Sequence, residues 1–159
     1  MKITIFLRIG VVLFLFFTMA SCQGKFMSDQ GRVVAEEKRI ALQQEGSESG
    51  SWQGKKDLTV NYTATRNQDI LQMAGDILLK KHKKLVSFQF SLVLIDADGQ
   101  ILDIVPVTTA GGRQKIEQIA FSREVTLPPG TSYFTFTYDG TTSGIGQGGS
   151  PKSFWSGHW

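Results

Sequence analysis

A chain of 159 residues with 17 lysines and arginines against 14 aspartates and glutamates carries a formal charge of +3 and has room for one modest core. Lys2 and Arg8 belong to a segment with the character of a cleaved signal, and from Cys22 onward 15 basic residues face 14 acidic ones. That balance removes any global electrostatic case for nucleic acid. The lone cysteine excludes an intramolecular disulfide and a multi-cysteine zinc site.

In residues 1–21 a short basic start is followed by an apolar run from Ile9 to Ala20, interrupted only by Gly10 and Thr18. This is the layout of a secretory signal, and the run is shorter than the ~20 apolar residues that a stable membrane-spanning helix needs. It ends in Met19-Ala20-Ser21-Cys22, which resembles the lipobox of bacterial lipoproteins. The resemblance implies cleavage before Cys22, lipid on its thiol and usually on its new amino group, and attachment to the periplasmic side of a membrane. Several acyl chains give the stable anchoring that one alone does not. Gln23, where an aspartate retains Gram-negative lipoproteins in the inner membrane, implies the outer membrane if the source has one. The alternatives are an ordinary signal peptide with an unrelated cysteine, or an uncleaved N-terminal anchor.

Residues 22–56 form the next expected unit, a lipidated and mostly disordered tether rich in Gln, Ser, Gly, Glu and Lys. Arg32 to Gln44 has a thin apolar stripe suited to a transient helix ended by Gly46, and Gly46 to Ser51 reads as flexible linker. Roughly 34 residues of coil put the next domain about 30 to 35 Å from the anchor.

Residues 57–140 carry the folded domain, because the apolar period there becomes two. Leu58, Val60, Tyr62 and Ala64 alternate with polar residues in a first strand, and Arg66 to Asp69 turns the chain. A second strand runs from about Ile70 to Lys80, with Gly75 marking a bulge or a close backbone approach. Lys80-Lys81-His82-Lys83-Lys84 reads as a charged hairpin loop. In the longest apolar run, Leu85 to Ile95, the residues Val86, Phe88, Phe90, Leu92 and Leu94 share a face, and Val93 and Ile95 make the opposite face apolar too, the mark of a central strand. Asp96 to Gly99 is a strong hairpin signal. Strands follow at Ile101 to Val107, at Ile119 to Leu127 and at Phe134 to Tyr138, separated by Gly111-Gly112-Arg113 and Pro128-Pro129-Gly130.

Six or seven short strands without a convincing helix predict an all-β, immunoglobulin-like antiparallel β-sandwich. Leu127 to Tyr133 resembles the corner before the sixth strand of fibronectin type III domains, with its leucine, proline-glycine turn and tyrosine. It departs from that family in parity, because Phe134, Phe136 and Tyr138 take the face opposite to Tyr133. Residues 141–159 are a Gly-rich tail ending in aromatics.

Candidate partner-binding residues are Lys80, Lys81, Lys83 and Lys84, whose charges sum toward phosphate head groups, lipopolysaccharide or an acidic partner, and Phe154, Trp155 and Trp159, whose rings suit a protein or a sugar. The competing readings are a loop kept soluble by charge, and aromatics that fold back to cap the domain. Asp96, Asp98 and Asp103 lack calcium-loop spacing and read as turn residues. His82 and His158 have no partner pattern, and no nucleophile elbow, metalloprotease helix or phosphate loop occurs, so neither a catalytic residue nor a cofactor or metal is nominated. The expected function is a non-enzymatic, membrane-anchored binding or accessory module contacting an envelope protein or glycan and no nucleic acid. A structural or assembly subunit of an envelope complex is the alternative, and a hydrolase the second alternative.

Overall fold

The computed structural model describes residues 29–55, 58–143 and 152–155. Its strands are β1 (Ile40–Ala41), β2 (Gly46–Gly54), β3 (Leu58–Asn67), β4 (Ile70–Ile95), β5 (Ile101–Thr126), β6 (Tyr133–Thr142) and β7 (Lys152–Trp155). The all-β, antiparallel expectation holds, and the described residues contain no α-helix; Glu36–Lys38 forms a 3-10 turn. All seven strands join one sheet.

One hairpin organises that sheet. β4 and β5, each 26 residues long, pair with one another from Ile70↔Thr126 to Ile95↔Ile101. On the other side of β4, β3 bonds to its first half and β6 to its second. β2 extends the sheet beyond β3, while β1 and β7 flank β6. Rings carried by the two halves meet: Trp52 lies 5.6 Å from Phe136, Tyr62 lies 5.6 Å from Phe134, and Phe90 lies 5.5 Å from Phe121. The sheet is therefore curled on itself as a half-barrel around an aromatic core.

The curl centres on the lysine cluster. Expected as a hairpin loop between two strands, Lys80–Lys84 instead lies within β4. No Gly, Pro or Asn stands there to turn the chain, and the run bends because the register shifts between Leu78 and Lys83 and again between Leu85 and Ser87. The second shift inverts which residues face inward. Met73, Ile77 and Leu85 are fully buried, then Phe88, Phe90, Leu92 and Leu94, so Leu85 takes the core place expected of Val86, which is half-buried. Across the bend Gly111 lets β5 approach closely, since a Cβ there would lie 2.5 Å from the Val86 carbonyl oxygen.

The expected tether is corrected over residues 29–55. Gly46–Gly54, read as linker, is strand β2, in register with β3 from Gly46↔Arg66 to Gly54↔Leu58. Its Gly and Ser content hides a strand because large rings from elsewhere fill its inner side: a Cβ on Gly50 would meet the Tyr62 hydroxyl and one on Gly54 the Tyr138 ring, each at 2.5 Å. The expected helix over Arg32 to Gln44 is likewise absent. Val34 instead packs with Val93, Ile95 and Ile101 in a second cluster, and backbone bonds Val34 N to Gly99 O (2.9 Å) and Ile101 N to Arg32 O (2.9 Å) hold this segment to the β4–β5 turn. The two-sided burial expected of Val93 and Ile95 is thus met by the chain's own N-terminal segment.

Candidate functional site

The two ends of the curled sheet differ in construction. At one end β4 and β5 bend continuously from one half to the other. At the opposite end separate segments cross between the halves: Leu42–Glu45 links β1 to β2, and Leu127–Ser132 links β5 to β6. Leu42 N donates to Ser132 O at 3.0 Å, so the crossovers are bonded to each other.

Between these crossovers and the β3–β4 turn lies a cleft of about 1040 Å³, open to solvent. Its size reaches the upper part of the range of small-ligand sites, roughly 300–1,000 Å³. Gln44 and Glu45 line it from one crossover, Pro128 and Pro129 from the other, and Arg66 and Asp69 from the turn. Gln68, at φ 56°, turns the chain in the left-handed region. The guanidinium of Arg66 donates to the carbonyls of Gln68 (2.8 Å) and Gln43 (3.4 Å), fixing the turn to the crossover. Leu127 N donates to Asp69 O at 2.6 Å, and Thr131 Oγ1 to Pro128 O at 2.6 Å. The resulting rim holds one guanidinium, two carboxylates and side-chain amides, which suits hydrogen bonding to a hydroxyl- or amide-rich ligand. Its lining has no histidine or cysteine to form a nucleophile relay.

A second polar feature lies on β2. Glu48 is half-buried on the strand's inner side, and its Oε1 is enclosed with no hydrogen-bond partner. Burial raises its carboxyl above the ordinary carboxylate value. Burial, and then the Glu48 charge, raises the Tyr62 phenol as well. A proton held by one carboxyl is a component of acid–base chemistry, and nothing in the described arrangement supplies the partner that would use it.

Of the residues singled out from sequence, the expected lipidation site Cys22, the candidate partner-binding Trp159 and His158 lie outside the described residues. Lys80, Lys81, Lys83 and Lys84 sit at the bend, where Lys84 is exposed and pairs in register with Lys115. Phe154 and Trp155 are on β7, whose backbone returns to the domain opposite Gly140 and Asp139. Asp96 builds the expected turn by accepting from the backbone N–H groups of Asp98 (2.9 Å) and Gln100 (2.8 Å). The crossover cleft escaped sequence reasoning. Its lining comes from three segments far apart in the chain, and the one signal available was the pair of turn motifs at Arg66–Asp69 and Leu127–Gly130.

Compared with known proteins, the chain matches no family model, no curated protein and no solved structure. What defines its class is the fold, an all-β domain made of one curled antiparallel sheet.

Proposed function

We propose that this protein is a lipid-anchored envelope lipoprotein acting as a non-enzymatic binding module. In this reading it is cut before Cys22, lipidated there, held on the periplasmic side of a membrane, and takes a glycan or envelope protein between its crossovers. The scaffold acts as an immunoglobulin-like sandwich does, by presenting loops at one end. The observation that carries the reading is the crossover cleft, whose rim of Arg66, Gln44, Glu45 and Asp69 offers donors and acceptors without a catalytic relay. Asp29, tied through its neighbours to the β4–β5 turn, lies at the same end of the strands, which favours a partner presented at the membrane.

Two experiments test this. Cys22→Ser is expected to abolish globomycin-sensitive processing and to move the protein out of the detergent phase; unchanged processing and partitioning reject the anchor. Arg66→Ala is expected to weaken crosslinking to the partner in intact cells, and an unchanged crosslink pattern rejects the cleft. A second reading, a fixed subunit of an envelope complex, is favoured by β5, which among the described strands pairs with β4 alone along its 26 residues. A stoichiometric complex that survives purification after crosslinking would select it. One clean positive in a broad hydrolase screen would overturn the non-enzymatic reading.

A further inference from the structure

We infer that two copies of this chain pair edge to edge through residues 118–126 of β5, as an antiparallel dimer with twofold symmetry. Among the described strands β5 pairs with β4 alone, so its other edge presents a row of backbone N–H and C=O groups. The two halves of that edge differ. Residues 101–112 carry Pro106, Gly111 and Gly112, and their register against β4 shifts repeatedly, which are devices that blunt an edge. Residues 118–126 pair with β4 without a shift, from Leu78↔Gln118 to Ile70↔Thr126, and contain no proline, glycine or lysine. The core also stops short at this edge. Ile77 and Met73 on β4 are fully buried, whereas Ile119, opposite Ile77, is half-buried and Arg123, opposite Met73, is exposed. A strand added beyond β5 continues the sheet and completes this cover.

The edge itself dictates the occupant. An added strand must set apolar or long side chains opposite Ile119, Phe121 and Val125 on the inner face, and polar or small ones outside, where Ala120, Ser122 and Glu124 are exposed. The same segment of a second copy meets both demands in antiparallel register about Ser122. That twofold sets Ile119 against Val125, Phe121 against Arg123, Ala120 against Glu124 and Gln118 against Thr126, with no like charges facing. Each guanidinium then stands beside a ring, which attracts cations. A slip of one residue puts inner residues opposite outer ones. Registers centred on Arg123 or Glu124 bring like charges together, and one centred on Phe121 or nearer the bend shortens the pairing. Every second pair of an antiparallel ladder exchanges two hydrogen bonds, so these pairs give about eight to ten, as many as a typical interface. The contact is smaller than the roughly 20–30 residues a side of a standard interface, so the dimer is reversible. Both copies give the same edge, and the assembly closes at two. The edge that favours a fixed envelope complex is then filled by the chain itself, and the pairing needs neither the anchor at Cys22 nor the cleft.

The test uses the chain from Gln23 onward, which keeps every described residue and has no cysteine. In sedimentation equilibrium its mass is expected to rise with concentration toward that of two chains, and a single-chain mass up to about 1 mM overturns the proposal. Cysteines on the exposed outer face read the register. Ser122→Cys is expected to form a disulfide-linked dimer on mild oxidation, because opposing Cβ atoms stand about 5 Å apart. Ala120→Cys and Glu124→Cys should each link poorly alone, their copies being offset by roughly 14 Å along the strand, and should link readily when mixed. Equal linkage of all three alone, or no linkage of Ser122→Cys in a protein that dimerises, overturns the proposal. Ser122→Lys sets like charges face to face and should weaken association about two- to fivefold. Thr63→Lys, on the same row two strands inward, should leave it unchanged, and equal effects of the two overturn the proposal. Circular dichroism checks that each variant keeps its β structure, and sedimentation of the unaltered chain stands without them. A monomer whose Ser122→Cys links instead to another protein in cells also overturns the proposal and assigns the edge to a foreign strand. Arg66→Ala should leave the dimer intact, so failure of the cleft reading registers separately.

Discussion

Glu48 and the glycines show how single residues answer to what lies opposite them. The Glu48 carboxyl has a folded pKa above its ordinary 4.5, so the fold favours its protonated form. Its contribution to stability is fully present below 4.5 and is lost as pH rises through the raised value. Glu48→Gln is therefore expected to stabilise the protein near neutral pH by up to about 1 kcal/mol, the group being only partly buried, and to gain little at about pH 4. Urea denaturation at both pH values checks this; an equal gain at both would assign the effect to something other than charge. Gly75 answers to a different neighbour. A Cβ there would run into the carbonyl oxygen of Asn61 on the paired strand, and backbone cannot swing aside. Gly75→Ala is expected to cost about 2–3 kcal/mol. Gly112→Ala meets nothing within 4 Å and carries only the strain of its φ of +97°, about 1 kcal/mol. Similar denaturation midpoints for the two variants would contradict this account. Of these features, the sequence let Gly75 be read as a close approach but gave no sign that Glu48 lies inside the sheet, because that depends on which strand covers it.

Among the elements, β2 and β4 were the hardest to read, for opposite reasons. β2 has one large apolar residue, Trp52, among Gly, Ser, Glu and Gln, and it pairs over its full length because Tyr62 and Tyr138 supply the apolar bulk that its own side chains lack. Tyr138 Oη also donates to Gly54 O at 3.2 Å in the buried interior. Trp52 holds this edge strand to the other half through edge-to-face contacts with Phe136 and Tyr138. Trp52→Ala is expected to cost about 2–4 kcal/mol, somewhat less than a fully buried Trp, measured by guanidinium denaturation. A loss below about 0.5 kcal/mol, typical of a surface site, would mean that β2 is not part of the cooperative fold. β4 hides in the other direction. Its alternation was legible in both halves, and the five charged residues between them mimicked a loop. The one-residue slip at Leu85–Ser87 could not be seen, because period-two patterns on either side are each self-consistent and only the parity between them changes. Deleting Val86 removes the extra residue that β4 carries against β6, so plain alternation would keep Leu85 and Phe88 on one inner face, and a folded β protein is expected by circular dichroism.

For the whole molecule, the position of the first described residue decides how the domain stands to its proposed anchor. A coil of about 34 residues gives a loose particle some 30 to 35 Å out; described structure from Asp29 onward leaves six residues between it and Cys22 and a limit of about 25 Å. The segment that changes this is bonded, not merely near. Arg39 Nε donates to Val34 O at 2.8 Å, its guanidinium lies 6.0 Å from the Tyr133 ring centre, and Val34 is completely buried over Val93 and Ile95. Removing residues 1–56, the boundary that composition suggested, strips β1, β2 and the cover of the second cluster, whereas a chain starting at Asp29 keeps them all. The shorter chain is expected to aggregate and the longer one to unfold cooperatively. Limited trypsin digestion of the full chain tests the same point without truncation. A disordered tether would be cut first at Arg32, Lys38, Arg39 and Lys55, but a bonded segment opens only with the sheet. The first cuts are therefore expected outside residues 29–55, with Arg39 cleaved no faster than the global unfolding rate allows. Rapid cleavage at Arg39 in otherwise intact protein would return residues 29–55 to the tether and remove the 25 Å limit with them.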